Sequence, residues 1–125
     1  MHLSKNISPR LFIYLTFFQN ENGKKLNQES LEHLATSIFY LSQIPNFSLK
    51  VLVISNTEIS NFEQLSKPIE ARLDLSSISQ HIVEDAEITY NGVRIPWLLT
   101  WVHKRFMFED FATSSPENLD LFLAL

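Results

Sequence analysis

The strongest constraint on the fold is an uninterrupted apolar stretch near the amino terminus. Residues 11–18 are all aliphatic, aromatic or β-branched, and eight residues are too few for a typical helix. Such a run is typical of a strand that is buried on both faces, as in a parallel sheet. Because parallel strands need a long crossover connection, we expect a helix to follow.

The next segment has the pattern of that helix. Apolar residues recur at helical spacing between Leu31 and Leu41, after the capping candidate Asn27 and before the helix breaker Pro45. Residues 49–55 then form a second run of aliphatic and β-branched residues. Strand, helix and strand in this order predict a right-handed crossover and parallel pairing.

Three further signals lie in the second half of the chain. An Asn-Gly pair at the centre of residues 87–95 predicts a β-hairpin, because both residue types tolerate positive φ. Pro96 suits the first turn of a helix, which we expect to continue to about Phe111. The apolar residues 119–125 are interpreted as the next core strand.

The middle of the chain has weaker patterns. Residues 59–66 are predicted to form a short helix, and apolar residues alternate with polar ones over residues 69–75, as in a half-exposed strand. Trp97 and Trp101 are one helical turn apart and are expected to lie in the core or to pack between helices, rather than to serve as stacking platforms for a ligand. With 125 residues, the chain is predicted to be one α/β domain, residues 1–125, or part of one.

Composition argues against several classes of function. The chain has 10 Lys and Arg against 14 Asp and Glu, so its net charge of -4 provides no positive field for nucleic acid. It has no cysteine, and its four histidines are not at ligand spacing, which makes a zinc site improbable. No apolar stretch approaches the roughly 20 residues of a membrane span. We expect no nucleic-acid partner and no transmembrane segment.

Polar residues follow the first two predicted strands, where ligands bind in parallel α/β sheets. Residues 19–22 read Gln-Asn-Glu-Asn and residues 55–58 read Ser-Asn-Thr-Glu. Amide and carboxylate groups at these places can hydrogen-bond a base or a ribose. The same residue types are also ordinary loop formers and helix caps, and the chain lacks a glycine-rich phosphate loop. The nucleotide-binding candidates are Asn20, Glu21, Asn56 and Thr57.

A basic triplet, His-Lys-Arg at residues 103–105, lies within the predicted carboxyl-terminal helix. Neighbouring side chains on a helix point in different directions, so one of the three can face a cleft while the others face water. His103 or Arg105 is therefore a candidate diphosphate contact, and a solvated helix face is the alternative. No nucleophile has a matching base, so no catalytic residue is assigned.

Taken together, four segments resemble the amino-terminal half of a bacterial glycosyltransferase of the GT-A fold. They are the strand at residues 10–18 with its polar exit, the helix after it, the Ile-Ser-Asn-Thr end of the second strand at residues 54–57, and Leu-Thr-Trp-Val-His-Lys at residues 99–104. One such group has an RLFLYFTFFN-like strand, a TNT-like strand end and an LTWxHR-like helix. The resemblance covers most of residues 9–125.

The resemblance implies an incomplete GT-A-type domain with a Rossmann-like, partly parallel sheet flanked by helices. Its ligand would be a nucleotide-sugar donor, and an intact relative would transfer the sugar to a glycan or a lipid-linked acceptor. In that family the strand matching residues 118–125 leads into an acidic DXD-type motif that holds Mg²⁺ or Mn²⁺ against the diphosphate. That motif would follow Leu125. We therefore expect a truncated cytoplasmic chain that is inactive alone and has no metal of its own.

The alternative from another class is a complete, non-catalytic α/β interaction module. Such a module would add its carboxyl-terminal strand to the sheet of a partner or of a second copy. A folded monomer with Leu121 and Leu123 buried would favour this interpretation. Aggregation or partial folding would favour a fragment, because a truncated sheet leaves backbone groups and apolar side chains uncovered.

Overall fold

The computed structural model describes residues 9–19, 27–59 and 75–125. The described helices and strands largely follow the patterns of apolar residues in the sequence. The strands are β1 (Arg10–Phe17), β2 (Ser48–Ser55), β3 (Ile78–Ile82), β4 (Thr89–Tyr90), β5 (Val93–Arg94) and β6 (Leu121–Ala124). The α-helices in these ranges are α1 (Gln28–Ser42) and α2 (Leu99–Thr113).

β1, β2, β3 and β6 form a parallel sheet in the order β3-β2-β1-β6. β1 pairs along its whole length with β2, from Arg10 opposite Ser48 to Phe17 opposite Ser55. The carboxyl ends of all four strands therefore meet at one edge, called here the carboxyl edge. The chain moves from β1 out to β2 and β3 and then returns to the other side of β1. Strand order thus reverses between β1 and β6. The parallel pairing of all four strands, with helices between them in the chain, confirms an α/β fold.

One face of the sheet is covered by α1. Leu11, Ile13 and Leu15 of β1 alternate onto this face and join Leu34 and Ile38 of α1 in one buried cluster. The helix begins where the sequence predicts, because the Asn27 side chain accepts a hydrogen bond of 3.0 Å from the Ser30 amide. The first strand, the helix and the second strand are therefore confirmed.

The opposite face is covered by α2. Leu99 and Val102 of α2 pack with Ile54 of β2 in a second buried cluster. The Tyr14 hydroxyl, which points away from the α1 face, donates a hydrogen bond of 2.6 Å to Asp110 of α2. Helices on both faces make three layers with the parallel sheet in the middle.

β6 joins the sheet as an outer strand beside β1. Its register runs from Leu11 opposite Leu121 to Tyr14 opposite Ala124, which confirms the predicted last strand. Asp120, just before β6, accepts two hydrogen bonds of 2.9 Å from Arg10, one from the backbone amide and one from the guanidinium. This carboxylate therefore attaches the start of β6 to the start of β1.

The Asp120 carboxylate makes the attachment of β6 dependent on pH. Burial alone would raise the pKa of Asp120, but the hydrogen bonds and the charge of Arg10 outweigh burial and lower it. A lowered pKa in the folded state stabilises the protein above the unfolded-state value of about 4, and this stabilisation is lost as the pH falls through the folded value. We expect Asp120→Asn to lower the thermal unfolding midpoint at pH 7 and to have a smaller effect at pH 3. An equal effect at both pH values would contradict the role of the charge.

The predicted hairpin is confirmed, whereas the helix after it differs in part. β4 and β5 pair antiparallel around Asn91 and Gly92, whose φ angles are 52° and 79°. The segment from Pro96 begins as a 3-10 turn, and α2 starts only at Leu99. The expectation that Trp97 and Trp101 lie in the core is wrong, because both side chains are exposed.

The predictions for the middle of the chain mostly fall outside the described residues. Of the predicted helix at 59–66 only Ile59 is described, and of the predicted strand at 69–75 only Leu75, which begins a 3-10 turn. β3 has no counterpart among the predictions, because its sequence Ile-Ser-Gln-His-Ile is mainly polar. Across the described ranges, no helix is long and apolar enough to span a bilayer.

Candidate functional site

The loops after β1 and β2 are joined by one amide side chain at the carboxyl edge. Asn56 is almost completely buried, and its Nδ2 donates to the Gln19 carbonyl at 2.9 Å while its Oδ1 accepts from the Gln19 amide at 2.8 Å. This reciprocal pair, called here the amide bracket, satisfies a buried backbone donor and acceptor in the way that a neighbouring strand would. The Gln19 side chain in turn accepts from the Asn27 amide at 2.8 Å, so the start of α1 is fixed to the same loop.

A second amide side chain, that of Gln80, pairs in the same reciprocal way with the backbone of Ile59, which follows β2. Gln80 of β3 donates to the Ile59 carbonyl and accepts from the Ile59 amide, both at 3.0 Å. The Ser55 hydroxyl donates to the Thr57 carbonyl at 2.7 Å, and the Ser55 carbonyl accepts from the Val83 amide at 2.7 Å. The described backbone at the carboxyl edge is therefore held by hydrogen bonds between strand ends.

Arg94 of β5 brings a positive charge to this edge. Its guanidinium lies 5.3 Å from the centre of the Phe18 ring and donates to the Gln19 carbonyl at 3.4 Å. The Nε atom lies 3.7 Å from a carboxylate oxygen of Asp85. The side chain is about one-third exposed beside the loop after β1. Nε is buried next to Asp85, so the N–H donors for an anionic ligand are those on the two terminal nitrogens of the guanidinium.

His103 lies one turn into α2, close to the same edge. Leu99, the first residue of α2, packs with Val83 and Ile88 beyond the end of β3. His103 is buried, and its Nδ1 is 2.6 Å from the Thr100 carbonyl. A carbonyl only accepts, so Nδ1 is the donor in this hydrogen bond.

An open cleft of about 300 Å³ lies between α1 and the end of β6, where strand order reverses. Phe18 and Leu125 provide part of its apolar lining. Ser30, His33 and Ser37 of α1 contribute hydroxyl and imidazole groups. The cleft is within the range of small-molecule sites and has the few convergent polar groups that such sites require. We name it the switch-point cleft.

The structure brings some of the sequence candidates together and separates others. Asn20 and Glu21 lie outside the described residues. Asn56 and Thr57 are buried at the carboxyl edge, where the hydrogen bonds of Asn56 hold the loop after β1. His103 faces inwards from α2, whereas Arg105 is exposed on the other side of the same helix.

Three residues of this edge are absent from the sequence-based candidates. The Gln19 backbone bonds the Asn56 side chain 37 residues later, and the Gln80 side chain bonds the Ile59 backbone 21 residues earlier. Arg94 reaches a carbonyl 75 residues earlier. Such contacts leave no local pattern. The one available signal is that Gln19 belongs to the polar cluster after the first strand.

The three aspartates in the described ranges each lie beside another side chain. Asp85 lies beside Arg94, Asp110 accepts from Tyr14, and Asp120 is bonded to Arg10. These ranges contain no group of three or more His, Asp or Glu side chains placed to hold an ion. We therefore derive no chemistry through a metal from the described residues.

Comparison of the chain with protein-family models, with curated proteins and with solved structures finds no significant match in any of the three.

Proposed function

We propose that the carboxyl edge binds the nucleoside diphosphate of a nucleotide sugar, and that the chain is the donor-binding half of a glycosyltransferase-like protein. The observation that carries this proposal is the open switch-point cleft beside the reversal of strand order between β1 and β6. In open α/β sheets this is the place where ligands bind. The motif resemblance at the ends of the first two strands and in α2 supports the same class of ligand.

The diphosphate and the ribose of such a ligand each have a counterpart in the described residues. The guanidinium of Arg94 suits the diphosphate, because its planar donors match phosphate oxygens. Ser30, His33 and Ser37 in the switch-point cleft suit the hydroxyl groups of a ribose. His103 stays a candidate on the diphosphate side. Arg105 is left out of the proposal because it lies on the exposed side of α2.

The proposal assigns donor binding and no catalytic residue. In an intact relative, the sugar would pass from the nucleotide to a glycan or a lipid-linked acceptor. The described residues contribute by fixing the backbone of Gln19 and Ile59 through the Asn56 and Gln80 side chains, so that these two points at the carboxyl edge are in place before a ligand binds.

Isothermal titration of the full chain with UDP and with GDP tests the proposal. We expect saturable binding of at least one nucleotide with a Kd below about 1 mM, which is about 4 kcal/mol of binding free energy. Arg94→Gln should weaken binding about tenfold, because a charge-assisted contact to the diphosphate is lost. Arg105→Gln removes the same charge from the exposed side of α2 and should leave the affinity unchanged. Negligible binding of both nucleotides would contradict the proposal.

A second candidate is an interaction module that pairs through β6. Leu121 and Leu123 are 48% and 44% exposed, so the burial expected for a complete module is not observed, yet an uncovered apolar strand edge favours pairing. The Leu125 amide donates to the Tyr14 carbonyl at 3.0 Å, so the amides of Phe122 and Ala124 point to the outer edge. Light scattering of the free chain would detect a dimer through this edge, and Leu123→Lys should return it to the monomer.

A further inference from the structure

α2 is apolar on two opposite faces, and the sheet covers one of them. Leu99, Val102 and Phe106 pack against the sheet. On the opposite side, Trp101 and Phe108 are 67% and 62% exposed. An α-helix at the surface of a domain normally presents one apolar face and keeps the other polar. The uncovered side of α2 therefore needs a partner or a medium that accepts aromatic side chains.

Exposed aromatic residues lie along the uncovered side of α2. Trp97, in the turn before α2, is 59% exposed and lies 6.5 Å from Trp101 between ring centres. Phe108 follows seven residues after Trp101, which keeps these three residues on one side at helical spacing. Phe111 is also exposed, but its ring packs edge-to-face on Phe122 of β6 at 5.6 Å. We name Trp97, Trp101 and Phe108 the aromatic face.

The charged side chains nearest to Trp101 on the aromatic face are positive. Lys104 and Arg105 follow Trp101 by three and four residues, so they lie beside it on the same side of the helix, and both are exposed. Asp110 points the other way, because its carboxylate accepts the Tyr14 hydroxyl at the sheet. Glu109, the residue before Asp110, lies on the flank of α2, farther from Trp101 than the two basic residues. Although the whole chain has a net charge of -4, the aromatic face is locally basic.

We propose that the aromatic face lies on an anionic lipid surface, with the tryptophan rings at headgroup depth. Exposed tryptophan and phenylalanine beside lysine and arginine are the composition of helices that lie in the plane of a membrane interface. The long Lys104 and Arg105 side chains would reach lipid phosphates while their aliphatic parts cover the rings. Protein interfaces are also enriched in Trp, Phe and Arg, but they are depleted in Lys, so the exposed Lys104 beside the rings favours the lipid surface.

Tryptophan fluorescence reports on the aromatic face alone. The chain contains two tryptophans, Trp97 and Trp101, and both belong to the aromatic face. On addition of phosphatidylcholine–phosphatidylglycerol vesicles to the full chain, we expect the emission to move to shorter wavelength and the protein to sediment with the vesicles. Vesicles of phosphatidylcholine alone, or added salt, should weaken the effect because charge attraction is lost or screened.

A matched pair of variants distinguishes binding through the aromatic face from non-specific adsorption to lipid. Phe108→Asp should reduce vesicle binding at least about tenfold, since it places a carboxylate on the aromatic face. Tyr40→Asp makes the same change at an aromatic residue that is 69% exposed on α1, across the sheet, and should leave binding unchanged. Neither residue belongs to the proposed nucleotide site, so UDP or GDP titration of both variants should match the original chain.

Three results would overturn the inference. The first is no emission change with anionic vesicles. The second is an equal loss of vesicle binding in Phe108→Asp and Tyr40→Asp. The third is an emission shift that depends on protein concentration without lipid, because it would show that a second copy of the chain covers the aromatic face.

Discussion

Replacing Asn56 with alanine should lower the free energy of unfolding by about 2–4 kcal/mol, because the amide bracket would be lost. Asn56 is buried, and its two hydrogen bonds to Gln19 connect loops 37 residues apart in sequence. Alanine would leave the Gln19 amide without its acceptor and would remove a donor from the Gln19 carbonyl. A buried backbone group that loses its partner costs about 1–3 kcal/mol.

Urea unfolding followed by circular dichroism measures this loss. Asn118→Ala is the matched control, because Asn118 is exposed and lies in the turn before β6, where its backbone amide bonds the Ser115 carbonyl. We expect the control to change stability by less than about 0.5 kcal/mol. If the two variants were equally stable, the amide bracket would not hold the carboxyl edge together.

The second large effect is expected for Leu11→Ala. Leu11 of β1 is 3% exposed and belongs to the cluster under α1, so truncation should leave a cavity and lower the free energy of unfolding by about 2–4 kcal/mol. Its neighbour in the sheet is Leu121 of β6, the same residue type on the same face and in direct register. Because α1 does not cover Leu121, we expect Leu121→Ala to cost less than about 1 kcal/mol.

The pair of leucine variants tests where the core ends. A large difference in urea midpoint would agree with a core that stops between β1 and β6 on the α1 face. Equal losses would mean that Leu121 is covered in solution, by self-association or by another part of the chain. Measuring both variants at two protein concentrations distinguishes these cases, since stability gained from self-association rises with concentration.

The elements that sequence analysis predicted correctly are those with strong local signals. The first strand is an unbroken apolar run, α1 has the cap Asn27, and the hairpin has Asn91 and Gly92 at positive φ. β3 has no such signal, because it is a short edge strand with a polar centre that exists through pairing with β2. Local periodicity does not reveal a strand that depends on its neighbour.

In the candidate site, too, features that depend on the local sequence were predicted, and contacts between residues far apart in sequence were not. Asn56 and Thr57 follow directly after β2, and from this position in the sequence they were expected at the carboxyl edge, where the structure has them. The function of the Asn56 amide was not predictable, because its partner is the backbone of Gln19 on another strand end. Arg94 was likewise missed, since its approach to the loop after β1 depends on how the hairpin folds against the sheet.

The two tryptophans are exposed, although large aromatic side chains are buried in most proteins. Large aromatic residues usually lie in the core, so Trp97 and Trp101 were expected there. α2 has apolar residues on both sides, and the sheet covers the side with Leu99 and Val102. Spacing alone does not decide which of two apolar faces is buried.

¹H–¹⁵N NMR spectra of the full chain, recorded during titration with UDP and with GDP, would locate nucleotide binding residue by residue. We expect saturable shifts of residues at the carboxyl edge and the switch-point cleft, with Gln19, His33 and Arg94 among the largest. No shift with either nucleotide would contradict the proposed site. Shifts centred instead on the cavity of about 230 Å³ between Phe12, Lys50 and Ser79, towards the start of the strands, would contradict it equally.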